Sequence, residues 1–200
     1  PASVNRELAA LSKIFRFAKL NHLVSENPVS QVKRYVENNA RTRFLSPEEE
    51  ARLFDALLLN PTLTAIVTIA LNTGMRQGEI LKLEWRDVNF REKQIHVRDT
   101  KSGHDRFVPM NSRVDEEVQS LPREKGQVFL FPGPGRTGHL VEIKKAWATA
   151  LRIAGIKNFR FHDLRHTAGT RFAATGAHPN TIKKLLGHQR IETTERYMHA

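Results

Sequence analysis

Three short segments of this 200-residue chain hold side chains able to act on an anionic ester. Thr73-Gly74-Met75-Arg76-Gln77-Gly78-Glu79 sets an arginine just beyond a helix-stopping glycine. His162-Asp163-Leu164-Arg165-His166-Thr167 pairs a histidine with an arginine three residues on, so both project from one face of a helix start. Leu186-Gly187-His188 precedes Thr193-Thr194-Glu195-Arg196-Tyr197, with the tyrosine nine residues after the histidine. Guanidiniums keep their charge and offer paired donors that match phosphate oxygens. They also stabilise the extra charge that such a group gathers in a transition state. Imidazoles add hydrogen bonds and proton transfer near neutral pH. The choice of nucleophile is narrow. The chain has no cysteine and the three segments have no serine, which leaves the Tyr197 hydroxyl. A free phenol titrates near ~10, so it attacks at neutral pH only where cations and hydrogen bonds favour its anion.

These residues need elements to hold them. Ser46-Pro47-Glu48-Glu49 reads as a capping box that starts a helix, with Ala51, Phe54 and Leu57 as its buried stripe. A more apolar helix is expected from about Leu63 to Asn72, closed by Gly74 as a left-handed cap. That places Arg76 on the loop beyond, before a short helix through Glu79, Ile80 and Leu83. Residues 94–99 alternate, with Ile95 and Val97 on one face, and Thr100-Lys101-Ser102-Gly103 supplies a turn before a strand around Phe107-Val108. Lys101 then lies near the tip of a β-hairpin. Further helices are expected over 112–121, 140–154, 162–175, 179–186 and 193–199, with Gly176 and Gly187 at caps. The expected fold is mainly α with a small antiparallel β-hairpin or sheet, an α+β class.

Residues 3–20 carry Val4, Leu8, Leu11, Phe15 and Ala18 on one helical face, and Asn27-Pro28 ends that pattern. Residues 28–44 read as a basic linker, with Lys33, Arg34, Arg41 and Arg43 as candidate DNA contacts. Residues 1–27 cannot bury a core of their own and read as the tail of a truncated neighbouring domain, leaving 45–200 as the main unit. The opening Pro1-Ala2-Ser3-Val4 lacks both an initiator methionine and a signal-peptide pattern, as expected for a cut through a longer protein. Thirty-two Lys and Arg face 21 Asp and Glu, a net charge of +11, which favours a polyanionic partner. No apolar run approaches the ~20 residues that a membrane span needs.

In order and spacing the three segments resemble the tyrosine recombinase, or phage integrase, family over roughly Phe44 to Ala200. The shared pattern is an arginine after a helix-ending T-G, a lysine on a β-hairpin, H-x-x-R, L-G-H, and a tyrosine nine residues later. Any single element is weak, but the ordered set is strong. The resemblance implies that Arg76 and Arg165 clamp a DNA phosphate while Tyr197 attacks it, leaving a 3′-phosphotyrosyl bond and a free 5′-hydroxyl. It gives His162 a hydrogen bond to the phosphate or a share in the tyrosine proton, and His188 a hydrogen bond to the phosphate. Lys101 resembles the general acid for the leaving 5′-oxygen, and Glu79 the acidic residue that supports the site from behind.

The same resemblance implies a site-specific recombinase that acts in integration or excision of DNA, with residues 1–27 as the last helix of a truncated DNA-binding (core-binding) domain and 45–200 as the catalytic domain. No metal and no ATP are expected, since the phosphotyrosyl ester conserves the bond energy. The implied partners are double-stranded DNA, three further copies in a tetramer on that DNA, and accessory DNA-bending or directionality proteins. A prokaryotic or phage-encoded protein of the cytoplasm, associated with the nucleoid, fits that role. Type IB topoisomerases share the nucleophile and clamp, but the compact L-G-H to tyrosine spacing and the basic linker favour an integrase. A DNA-binding regulator without catalysis would have no need of Tyr197. His162 and His166, four apart, approach zinc-hydrolase spacing, but Asp163 replaces the expected glutamate and Arg165 would set a cation beside the metal.

Overall fold

A computed structural model describes residues 1–37, 43–98 and 105–198 of the chain. Lys101 and Arg41 fall outside the described residues. The chain divides into two units, Pro1–Arg41 and Thr42–Ala200. In the first, helix α1 (Ala2–Leu20) is followed by a 3-10 turn, Pro28–Gln31. Within the stretch read as a basic linker, this turn packs on α1. The side chain of Asn5 donates to the Tyr35 carbonyl at 2.9 Å and accepts from the Tyr35 amide at 3.0 Å. Asn27 reaches Ser12 Oγ at 3.1 Å. Lys33 and Arg34 are exposed.

The second unit opens on α2 (Pro47–Leu57), where Glu49 N donates to Ser46 Oγ at 3.2 Å and Ser46 N to Glu49 Oε2 at 3.1 Å. This is the capping box read from the sequence. Helix α3 (Pro61–Thr73) is apolar on nearly every side because it forms the centre of the unit, packed by α2, by α5 (Ser112–Gln119) and by α7 (Phe161–Ala174). Leu53, Leu57, Ile66, Ile69, Leu71 and Leu164 are fully buried there. Gly74 ends α3 at φ 66°, and Arg76 precedes α4 (Gln77–Leu81).

Three strands form an antiparallel sheet in the order β1 (Val88–Asn89), β2 (Gln94–Val97), β3 (Arg106–Pro109). Ile95 pairs with Val108 and Val97 with Arg106, so Ile95, Val97 and Val108 face the core. The fold is mainly helical with a small antiparallel sheet, as the sequence implied. β1 was not anticipated, since two residues carry no readable period. Helix α6 starts at Lys144 rather than near residue 140. The preceding segment is instead held extended, with Leu140 N bonded to Phe131 O at 2.8 Å and Pro132 bridged to His139. Helices α8 (Pro179–Leu186) and α9 (Glu192–Glu195) complete the unit. The last helix is shorter than its expected 193–199 span. Tyr197 lies in the turn beyond it, with its amide bonded to Thr194 O at 3.0 Å. No described helix is long and apolar enough to cross a membrane.

A Cβ at Gly74 would lie 2.3 Å from Leu186 Cδ2 at a φ that side chains seldom adopt. Gly74→Ala therefore combines backbone strain with overpacking and should cost on the order of 2 kcal/mol or more. Urea unfolding should show a lower midpoint at an unchanged slope.

Candidate active site

Arg165 enters α7 on the side facing the ends of α3 and α8, and it is only 3% exposed. Nη1 donates to Gly74 O at 2.7 Å and Nη2 donates to Leu186 O. Both acceptors are carbonyls at helix C-termini, where the dipoles favour a cation. Burial, reinforced by the nearby Arg76, lowers its pKa to about 10, which leaves the guanidinium charged at neutral pH.

Arg76 sits at the start of α4 with its side chain 31% exposed, the more accessible of the two arginines. Nη2 donates to Gly187 O at 3.2 Å and Nη1 to Glu79 Oε1 at 2.8 Å. Both arginines thus grip the Leu186-Gly187 link immediately before His188. Glu79 also accepts from the Arg76 amide at 2.8 Å, and it binds Arg106 in a two-pronged pair at 3.1 and 2.7 Å. Burial opposes ionisation of Glu79, but Arg106 and Arg76 outweigh it and pull the carboxyl down to about 2. Arg106, on β3, further donates Nε to Leu185 O at 3.1 Å. It ties β3 to the α8 terminus. A cleft of about 590 Å³ borders Arg76 and Glu79 and is also lined by Lys82, Arg86 and Arg98.

Two of the three histidines, His166 and His188, lie against the tyrosine. His188, after the left-handed Gly187 cap, places Nδ1 2.9 Å from Thr194 Oγ1 and stacks its ring on Tyr197 at 6.2 Å between centroids. Burial, then Arg165 and Arg76, lower its pKa to about 3. His162 opens α7 and reaches solvent, and partial desolvation together with Arg165 lowers its pKa as well. Neutral imidazoles here follow from burial first and from repulsion by the two permanent cations second.

Tyr197 is 5% exposed and packs with Ile182 and Leu186 in a small cluster completed by Phe172, Ala173 and Ala177. Its hydroxyl meets His166 Nδ1 at 2.9 Å. Its ring passes Gly169 so closely that a Cβ there would lie 2.9 Å from two ring carbons. Burial raises the phenol pKa, while Arg165 and Arg196 act against that rise.

Arg76, Glu79, His162, Arg165, His188 and Tyr197 therefore share one site, whereas Lys101 lies outside the described residues. Of the basic residues assigned to the linker, Arg43 belongs to the second unit. It is bound to Glu49 and lies over the Phe159 ring at 5.2 Å. Sequence reasoning missed Arg106, His166, Gly169 and Thr194 as members of the site. Only His166 had a signal, its position next to Arg165.

Residues 43–200 match the phage integrase family. The shufflon-specific DNA recombinase of Escherichia coli is 35% identical over 98% of this chain and 50% of its own length. The integrase of Salmonella phage P22 is 33% identical over 80% of this chain and 44% of its own. Among solved structures, the catalytic domain of bacteriophage HP1 integrase aligns with a TM-score of 0.63 at 31% identity, covering 78% of this chain and 86% of that one. The Tn1549 transposon integrase in complex with a circular intermediate DNA gives a TM-score of 0.82 at 21% identity, covering 98% and 74%. The chain belongs to the phage integrase family. It spans about half the length of the curated relatives it matches first.

Tyr197 should titrate above the ordinary ~10 of a phenol when followed by NMR of labelled tyrosine. Gly169→Ala displaces the ring from its buried seat and should bring that value back toward ~10. Stability should fall by about 1–3 kcal/mol from overpacking, partly offset because alanine suits a helix better than glycine by about 0.5–1 kcal/mol.

Proposed function

We propose that the chain is the catalytic part of a site-specific DNA recombinase that breaks and rejoins strands through a 3′-phosphotyrosyl intermediate. The observation that carries this reading is the joint hold of Arg165 and Arg76 on the loop before His188, with Tyr197 packed on the same loop. One scissile phosphate could then meet two guanidiniums, a histidine and the phenol together. Arg76, the more exposed cation, is suited to contact a non-bridging oxygen directly. Arg165 supplies a second charge held without reorganisation. With the Thr194 hydroxyl donating to Nδ1, His188 keeps Nε2–H as a neutral donor to the phosphate. His162 adds a donor from the start of α7.

The Tyr197 oxygen forms a bond to phosphorus as the bond to the 5′-oxygen breaks. The 5′-oxygen takes a proton from Lys101, the residue that the family pattern assigns to this task. Reversal by an incoming 5′-hydroxyl rejoins the strand with no outside energy source. Residues 1–27 serve in this reading as the end of a DNA-binding domain, and Lys33, Arg34, Arg41 and Arg43 as backbone contacts. The partner is double-stranded DNA. The complete protein acts as a tetramer on that DNA with accessory bending or directionality proteins, in the cytoplasm of a bacterium and associated with the nucleoid. The E. coli and phage relatives support that setting.

A nicked suicide DNA should trap a denaturant-resistant 3′-phosphoryl adduct without added metal or ATP. Tyr197→Phe should abolish the adduct yet keep DNA binding, and an adduct in that variant would end the proposal. Arg76→Ala and Arg165→Ala should each lose roughly 3 kcal/mol or more of transition-state stabilisation in single-turnover cleavage. Lys101→Ala should recover its rate on DNA with sulfur at the leaving 5′ position, which needs no acid. Affinity for DNA should fall steeply with added salt, given the +11 charge, and a salt-independent titration would contradict the phosphate contacts.

A further inference from the structure

Two histidines of α7, His162 and His166, stand four residues apart and on one helical face. Their rings meet edge to face at 5.3 Å between centroids. Only His166 is bonded to the phenol, with Nδ1 2.9 Å from the Tyr197 hydroxyl. That distance lies within the reach of a general base. His188 lies nearly parallel to the tyrosine ring at 6.2 Å between centroids, and its Nδ1 is occupied by Thr194 Oγ1. The seat that brings the phenol to His166 is itself built into α7, because Gly169, three residues on, leaves room for the ring.

On the recombinase reading above, we propose that His166 is the catalytic base for Tyr197. As the phenol oxygen bonds to phosphorus, its O–H bond breaks and the proton passes to His166 Nδ1. When the strand is rejoined, the Tyr197–phosphorus bond breaks and the same proton returns to the leaving phenol oxygen. No other acceptor or co-reactant is required, and the leaving 5′-oxygen draws its proton from a different group.

The surroundings suit this role. Burial lowers the His166 pKa to about 4, with His162, Arg196 and Arg165 adding to the effect and Asp163 opposing it. The groups facing the ring are His162, Asp163 and Arg165 on α7, Arg196 and Tyr197 beyond α9, and His188 after α8. A ring kept neutral leaves its Nδ1 lone pair free, and because it is a weak base beside a phenol of raised pKa, the proton moves only as the phenol oxygen bonds to phosphorus. Arg165 and Arg196 meanwhile favour the phenolate that forms. The energetic task is therefore divided: cations stabilise the oxyanion and the imidazole removes the proton.

The test is single-turnover adduct formation by the protein at its full encoded length, on nicked DNA with sulfur at the leaving 5′ position. That substrate needs no acid, so its pH profile reads the nucleophile side alone. Wild type should be flat across about pH 6–8, because the base is already neutral there. His166→Asn keeps an acceptor near the Nδ1 position but cannot take the proton. It should slow by on the order of 10²–10⁴ and then gain roughly tenfold per pH unit as hydroxide replaces the lost base. His166→Ala should be rescued by imidazole in proportion to its free-base form, with DNA affinity unchanged at matched salt. Variants that cleave at the wild-type rate would overturn the assignment. So would variants that are slow but show no change in profile and no imidazole rescue, since His166 would then only position the phenol. A wild-type rate that itself climbs tenfold per pH unit across the range would overturn it whether or not the variants fold. A wild type that forms no adduct on any nicked DNA would overturn the recombinase reading and this assignment together.

Discussion

The buried guanidinium of Arg165 is the constraint from which the rest of the site follows. Removing such a cation from water costs several kcal/mol unless strong acceptors replace the lost hydration. The acceptors here are Gly74 O and Leu186 O, the frayed carbonyl ends of α3 and α8. Each charge-assisted bond contributes about 1.5–3 kcal/mol. The two helix dipoles add to them. In return, one side chain fixes the distance between two loops far apart in sequence, one leading to Arg76 and the other to His188. A smaller or uncharged residue would leave both carbonyls unpaired and both loops free.

Around that cation the charges are arranged so that few of them cancel. Glu79 is shared between Arg76 and Arg106 and stays ionised, so it orients two guanidiniums at the expense of only one charge. Burial first, and the remaining positive field after it, lower the pKa of His162, His166 and His188 and leave them as neutral donors and acceptors. A site of this kind can hold a doubly bonded anion and still move a proton, because the two tasks fall to different residue types. Arg106 extends the arrangement to β3, which is anchored to the same carboxylate and to Leu185 O.

Tyr197 has two structural roles on one side chain. Its ring completes a small apolar cluster with Ile182 and Leu186, and its hydroxyl emerges toward His166. The short α9 and the tight turn after it supply little helical structure of their own. The placement of the phenol therefore depends on that cluster, on the His188 stack and on the gap at Gly169. An aromatic core residue and a nucleophile are often treated as competing readings of a tyrosine, but on the proposed function the same burial serves both.

Much of this was legible in the sequence because its signals are local. A proline and a capping box start α2, a glycine that tolerates φ 66° ends α3, and alternation marks Ile95 and Val97. The ordered Arg76, His162, Arg165, His188 and Tyr197 pattern carried the family, since each residue sits at a helix end or beside a cap whose signal lies within a few positions. What the sequence could not show was long-range pairing. The bond of Arg165 to Gly74 spans 91 residues, that of Arg106 to Glu79 spans 27, and that of His166 to Tyr197 spans 31. Local propensity carries no information over such separations, and an arginine or histidine has the same appearance in sequence whether it faces water or a carbonyl. The sequence by itself determined which residue types were present and which elements could carry them. The tertiary structure alone decided that Arg165 is buried on two helix ends, that Glu79 serves two arginines, and that His166 rather than His162 touches the phenol. Those outcomes depend on how α3, α7 and α8 pack, a property of the assembled core rather than of any single segment.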